Sequence, residues 1–86
     1  MPRISEFYGI IIALYYNDHE PPHIHAIYGE YHVLIGIQPV EVMRGAFPPR
    51  ALGLVIEWMT IHHSELAEDW GLAREHRRLR RIAPLE

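Results

Sequence analysis

His23-Ile24-His25-Ala26-Ile27-Tyr28-Gly29-Glu30-Tyr31-His32-Val33-Leu34-Ile35-Gly36-Ile37 is the stretch on which the fold turns. Its β-branched and aromatic residues suit strands, and Gly29-Glu30 supplies a two-residue loop with glycine first. The reading is a β-hairpin closed by a type II′ turn, and such a loop fixes the register. Tyr28 faces Tyr31, Ala26 faces Val33 and His25 faces Leu34. Because side chains alternate between faces, Ile24, Ala26, Tyr28, Tyr31, Val33 and Ile35 share one apolar face, the expected core. His23 and His25 share the other face with His32, and His25 and His32 become diagonal neighbours within reach of long side chains.

Upstream, Phe7 to Tyr16 is apolar and aromatic and reads as one buried strand ending at the Asn17-Asp18 turn. Between it and the hairpin, His19-Glu20-Pro21-Pro22 must be an extended loop, since each proline fixes its own φ and restricts the residue before it. Downstream, Gln38-Pro39 marks a turn and Glu41 to Arg44 a short fourth strand. Phe47-Pro48-Pro49 then opens a helix. Leu52, Val55, Ile56, Met59, His63, Leu66, Trp70 and Ala73 recur at three- and four-residue steps, one amphipathic face reaching about Arg74 with a break near Ser64. The expectation is an α+β fold: an antiparallel meander of about four strands packed against a long C-terminal amphipathic helix, one domain over residues 1–86.

Composition bounds the function. The chain has 86 residues, 49% of them hydrophobic, and its formal charge is −3. An acidic balance argues against a general nucleic-acid coat. No apolar run approaches the roughly 18 residues needed to span a bilayer, so no membrane role is expected. Residues Met1 to Glu6 do not read as a secretory signal, and cysteine is absent. Both point to a cytoplasmic location. Five of the eight arginines fall between Arg74 and Arg81. They read as a solvated helix end paired with Glu65, Glu68 and Asp69, or as contacts to phosphate or an acidic partner. Trp58 and Trp70 read as packing, with Trp58 also a candidate for an interface.

The chemistry-bearing feature is histidine, seven in all. Asp18-His19-Glu20-Pro21-Pro22-His23-Ile24-His25 concentrates metal-competent side chains, and its two prolines lower the entropy cost of holding them together. His23 and His25, two apart on a strand, point the same way, and His19 or Asp18 can close over them from the loop. His19, His23, His25, Asp18 and His32 are therefore candidate ligands for a divalent transition metal such as zinc, nickel, copper or iron(II). The spacing fits no closed structural zinc motif, so such a site keeps an open position. A second reading needs no metal: His19, His23 and His25 act as general acid and base, with Arg44, Arg50 or a tail arginine holding a phosphate, and the substrate is RNA. In a third, the histidines merely cap a loop and bond backbone carbonyls. Whether the chain is an enzyme stays open among these. His62-His63 adds only one residue that can face the core, and the helix carries no HExxH pattern.

Phe7-Tyr8-Gly9-Ile10, Tyr15-Tyr16-Asn17-Asp18-His19-Glu20-Pro21-Pro22-His23-Ile24-His25 and Tyr28-Gly29 together closely resemble a family of small bacterial proteins, domain of unknown function 4160. Arg50-Ala51-Leu52, Glu57-Trp58, Glu65-Leu66 and Trp70 extend the likeness over essentially the whole chain. The resemblance implies a bacterial or archaeal protein encoded beside a second small protein, of the domain of unknown function 2442 family. That arrangement is similar to toxin–antitoxin modules and implies a small protein partner. It brings no established activity and no catalytic residues. Three functions follow as expectations: a partner-binding component of a toxin–antitoxin-like pair whose histidine surface acts on RNA, a transition-metal-binding protein, or a plain interaction domain. An exposed edge strand and a surface tryptophan add a homodimer to the expected partners.

Overall fold

The computed structural model describes residues 2–86; Met1 lies outside them. Five strands, β1 (Arg3–Phe7), β2 (Ile10–Ala13), β3 (His23–Tyr28), β4 (Tyr31–Ile37) and β5 (Val40–Ala46), precede two helices, α1 (Pro49–Ile61) and α2 (His63–Arg74). The strands form one antiparallel sheet in sequence order, a five-stranded meander. The α+β class holds.

The β3–β4 hairpin has the register its loop dictates: Tyr28 opposite Tyr31, Ala26 opposite Val33, His25 opposite Leu34. Gly29 sits at φ 59°, as the first position of a type II′ turn requires. Ile24, Ala26, Val33 and Ile35 are almost wholly buried, so the expected face is the core. Tyr28 and Tyr31 are not part of it. They stand 39% and 49% exposed at the hairpin tip, Tyr28 lining an open cleft with Arg50 and Leu54 of α1.

Two expectations are corrected. Phe7 to Tyr16 is not one strand: Tyr8 (φ 51°) and Gly9 (φ 80°) turn the chain back, giving a fifth strand rather than about four. Two consecutive positive φ values are the signature of a type I′ turn, and a tyrosine seldom occupies its first position. Nor is the C-terminal helix one long helix. It breaks at His62 (φ −106°, ψ 28°), and the His63 ring donates from Nε2 to the Ile37 carbonyl at 2.9 Å, fastening the start of α2 to the end of β4.

Both helices pack on the same core, through Val55, Trp58, Met59 and Leu66, which have no measurable exposure. A buried indole must place its N–H, and Trp58 Nε1 donates to the Ala83 carbonyl at 2.8 Å. That bond exposes a further correction: the arginine-rich end is not a continuing helix. From Glu75 the chain runs as an irregular strap back across the fold. Ile82 N–H donates to the Ile4 carbonyl at 2.7 Å on β1, and Ile82 and Leu85 enter the core. Asp69, expected among the solvated acids of α2, is 1% exposed and accepts the Arg80 N–H at 2.9 Å, tying the strap to the helix. Trp58, fully buried, presents no interface. Among the described residues no helix is long and apolar enough to cross a membrane.

Candidate metal centre

The loop between β2 and β3 returns over the start of β3, and this brings Asp18 onto the two strand histidines. Asp18 Oδ2 lies 2.9 Å from His23 Nε2 and 2.7 Å from His25 Nε2. These three ligand atoms lie within 4.8 Å of one another. Asp18 Oδ1 meanwhile accepts the His19 N–H at 3.2 Å. The cluster is sheltered: the side chains of His23, His25 and Asp18 are 4%, 12% and 21% exposed. Trp70 of α2 closes one side, its ring centroid 5.5 Å from that of His23, and Tyr15 stands perpendicular to His25 with centroids 4.5 Å apart. Glu20 pairs with Arg74, fastening the loop to the end of α2.

Each imidazole has its second nitrogen occupied. His23 Nδ1 lies 2.8 Å from the Pro21 carbonyl, and His25 Nδ1 lies 2.9 Å from His32 Nε2. A carbonyl only accepts, so His23 Nδ1 must carry a hydrogen. In the neutral ring Nε2 is then a bare lone pair aimed at a carboxylate oxygen. The carboxylate is ionised over most of the pH range. Burial pushes the Asp18 carboxyl up, but the hydrogen bond from His25 and the fields of both histidines outweigh this and hold it below its ordinary value. Two acceptors 2.9 Å apart repel unless a cation, a proton or a metal ion, stands between them. His25 differs. Burial lowers its pKa first of all, repulsion from His23 and His32 adds to this, and Asp18 opposes it without prevailing. A histidine held neutral is a histidine ready to ligate.

The donor set fits a divalent transition metal. With bonds of about 2.0–2.2 Å, neighbouring ligand atoms stand roughly 3.0–3.5 Å apart, so the two carboxylate–imidazole distances need open by only a few tenths of an ångström. Two imidazoles and one carboxylate with positions left over are the set used for open zinc and non-haem iron sites. The Pro21 carbonyl on His23 Nδ1 is the kind of outer partner a metal-binding histidine keeps.

Of the five ligands expected from sequence, the fold thus brings together Asp18, His23 and His25. The cluster does not include the ring of His19, an exposed residue that contributes its backbone N–H. His32 attaches to the far nitrogen of His25 rather than to the cluster. Loop capping is present too, in the His23 bond to Pro21. The Pro21 carbonyl and Trp70 are contributors that sequence reasoning misses. Trp70 carries a signal in its helical position, which by itself reads as core. Of the arginines proposed to hold phosphate, Arg44 pairs with Leu34, itself opposite His25, in one cross-strand row. Arg50 lines a separate cleft of about 470 Å³ with Tyr8, Tyr28 and Leu54.

A family model, Domain of unknown function (DUF4160), matches residues 9–71. That span holds Asp18, His23, His25 and His32. Comparison with curated proteins and with solved structures found no match.

Proposed function

The chain belongs to the domain of unknown function 4160 family, and we propose that it is a metal-binding protein in which Asp18, His23 and His25 hold one divalent first-row transition metal. The observation that carries the reading is the facing pair His23 Nε2 and Asp18 Oδ2, 2.9 Å apart, with His23 Nδ1 committed to a carbonyl. A buried arrangement that needs a cation, built from ligating atoms, is best satisfied by one. Bound there, the metal supplies Lewis acidity and acidifies a coordinated water. The chain's own groups do the rest: Pro21 fixes the His23 ring, Tyr15 and Trp70 limit solvent, and the Glu20–Arg74 pair holds the loop closed. Titration with cobalt(II) tests this directly. Visible d–d bands saturating at about one equivalent and absent from Asp18→Ala are expected; an absorbance no different from free cobalt sinks the proposal.

A second reading, RNA cleavage by a partner-regulated toxin-like domain, is supported by the His25–Leu34–Arg44 row, which sets a cation on the strand face of the histidines. Its test is growth arrest on expression, abolished by His25→Ala and weakened by Arg44→Ala. Unimpaired growth on wild-type expression removes it.

A further inference from the structure

The two imidazoles of the cluster are held in different ways. His23 donates to a backbone carbonyl, a partner that can only accept, so in the neutral ring its Nε2 is the bare nitrogen in either state of the site. His25 is held by another imidazole, which can donate or accept. Its Nε2 lies 2.7 Å from an ionised carboxylate, so in the metal-free protein that nitrogen carries the hydrogen and donates to Asp18. His25 Nδ1 is then the acceptor, and His32 Nε2–H donates to it across 2.9 Å. A metal at His25 Nε2 requires the opposite tautomer, with hydrogen on Nδ1.

We propose that His32 is a positioning residue whose reversible hydrogen bond lets His25 change tautomer when the site is loaded. The inference rests on the metal-binding reading above. The protons balance. The proton on His25 Nε2 leaves to water as the ligand bond forms. The proton on His32 Nε2 passes to His25 Nδ1, and His32, an exposed residue, takes one from water at its own Nδ1. The hydrogen bond survives with its direction reversed, and both rings stay neutral. An apolar residue at position 32 cannot do this, and a fixed acceptor fits only the loaded state. A glutamine can, by presenting its NH₂ or, after rotation, its oxygen. The cross-strand register carries the geometry: His32 faces Ile27, one diagonal step from His25.

The experiment pairs zinc affinity, by competition with a chromophoric chelator, with ¹⁵N NMR of the imidazole tautomers in wild type, His32→Ala and His32→Gln. Wild type is expected to show His25 and His32 both Nε2–H when metal-free and both Nδ1–H when zinc-loaded. His32→Ala should bind zinc about 10–100-fold more weakly, with His32→Gln recovering most of the loss. Equal affinity in all three proteins, equal weakening by alanine and glutamine, or a His32 tautomer unchanged by zinc would each overturn the proposal. Should wild type take no zinc, the metal-binding reading fails by itself. The metal-free spectra then still decide His32: an Nε2–H tautomer there supports its donation to His25 Nδ1, and an Nδ1–H tautomer refutes it.

Discussion

His23 and Asp18 meet Nε2 to Oδ2 at 2.9 Å while the other nitrogen of His23 is spent on the Pro21 carbonyl, so the pair is joined by a cation or not joined at all.

Asp18→Asn separates binding from stability. The amide oxygen can still accept the His25 Nε2–H, but without the charge that strengthens that bond and attracts a metal. Metal affinity is expected to fall at least tenfold while the metal-free protein loses no more than about 1 kcal/mol. Urea denaturation without metal checks the second half; a loss of more than about 1 kcal/mol would show that Asp18 is there for the fold.

Acid should weaken the metal-free protein in two stages. His25 has a folded pKa below its ordinary 6.5, so the unfolded chain takes up the proton first, and stability falls as pH drops from about 6.5 into the depressed range. Asp18 has a folded pKa below 3.8, so its contribution persists above that value and is lost as pH falls through the folded pKa. Denaturation midpoints between pH 7.5 and 3 check this, and His25→Gln should flatten the upper stage.

Asp69 has the opposite sign. Burial raises its pKa most, Glu68 and Glu65 add to the rise, and the Arg80 N–H and charge oppose it. Its Oδ1 accepts from Arg80, but Oδ2 has no partner among the described residues. The folded state therefore holds the proton more tightly, and stability declines as pH rises from 3.8 through the raised value. Asp69→Asn keeps the acceptor and removes the charge, so its advantage over wild type should grow between pH 4 and pH 7. Asp69→Ala, which strands the Arg80 N–H, should cost about 1–3 kcal/mol.

Gly45→Ala should be among the most damaging single changes outside the core. Gly45 sits at φ 95°, and an added Cβ would come 2.2 Å from the His32 carbonyl oxygen. Backbone strain alone costs about 1–3 kcal/mol, and the clash pushes β5 from the strand that carries His32. A thermal midpoint within a degree of wild type would contradict the close β4–β5 approach.

The sequence made the hairpin legible because a two-residue loop and strict alternation leave one register, and the approach of His25 to His32 follows from that register alone. Asp18 was legible as a candidate because prolines confine the loop beside it. The Tyr8–Gly9 turn was hidden, since a large side chain at positive φ breaks the usual turn vocabulary. The strap from Glu75 has no periodicity to read, and its arginines masked the two apolar anchors Ile82 and Leu85. Asp69 looked like any helical acid, because only packing distinguishes a solvated carboxylate from a buried one. The Pro21 carbonyl, on which the His23 argument depends, is backbone and leaves no mark in a sequence.

The most direct test is the metal content of tag-free protein, measured by mass spectrometry as purified and after exposure to zinc or iron(II) followed by gel filtration. The account predicts about one metal ion per chain, absent from the His23→Ala/His25→Ala double variant. Metal-free wild type under every condition, or equal metal in the double variant, would contradict it.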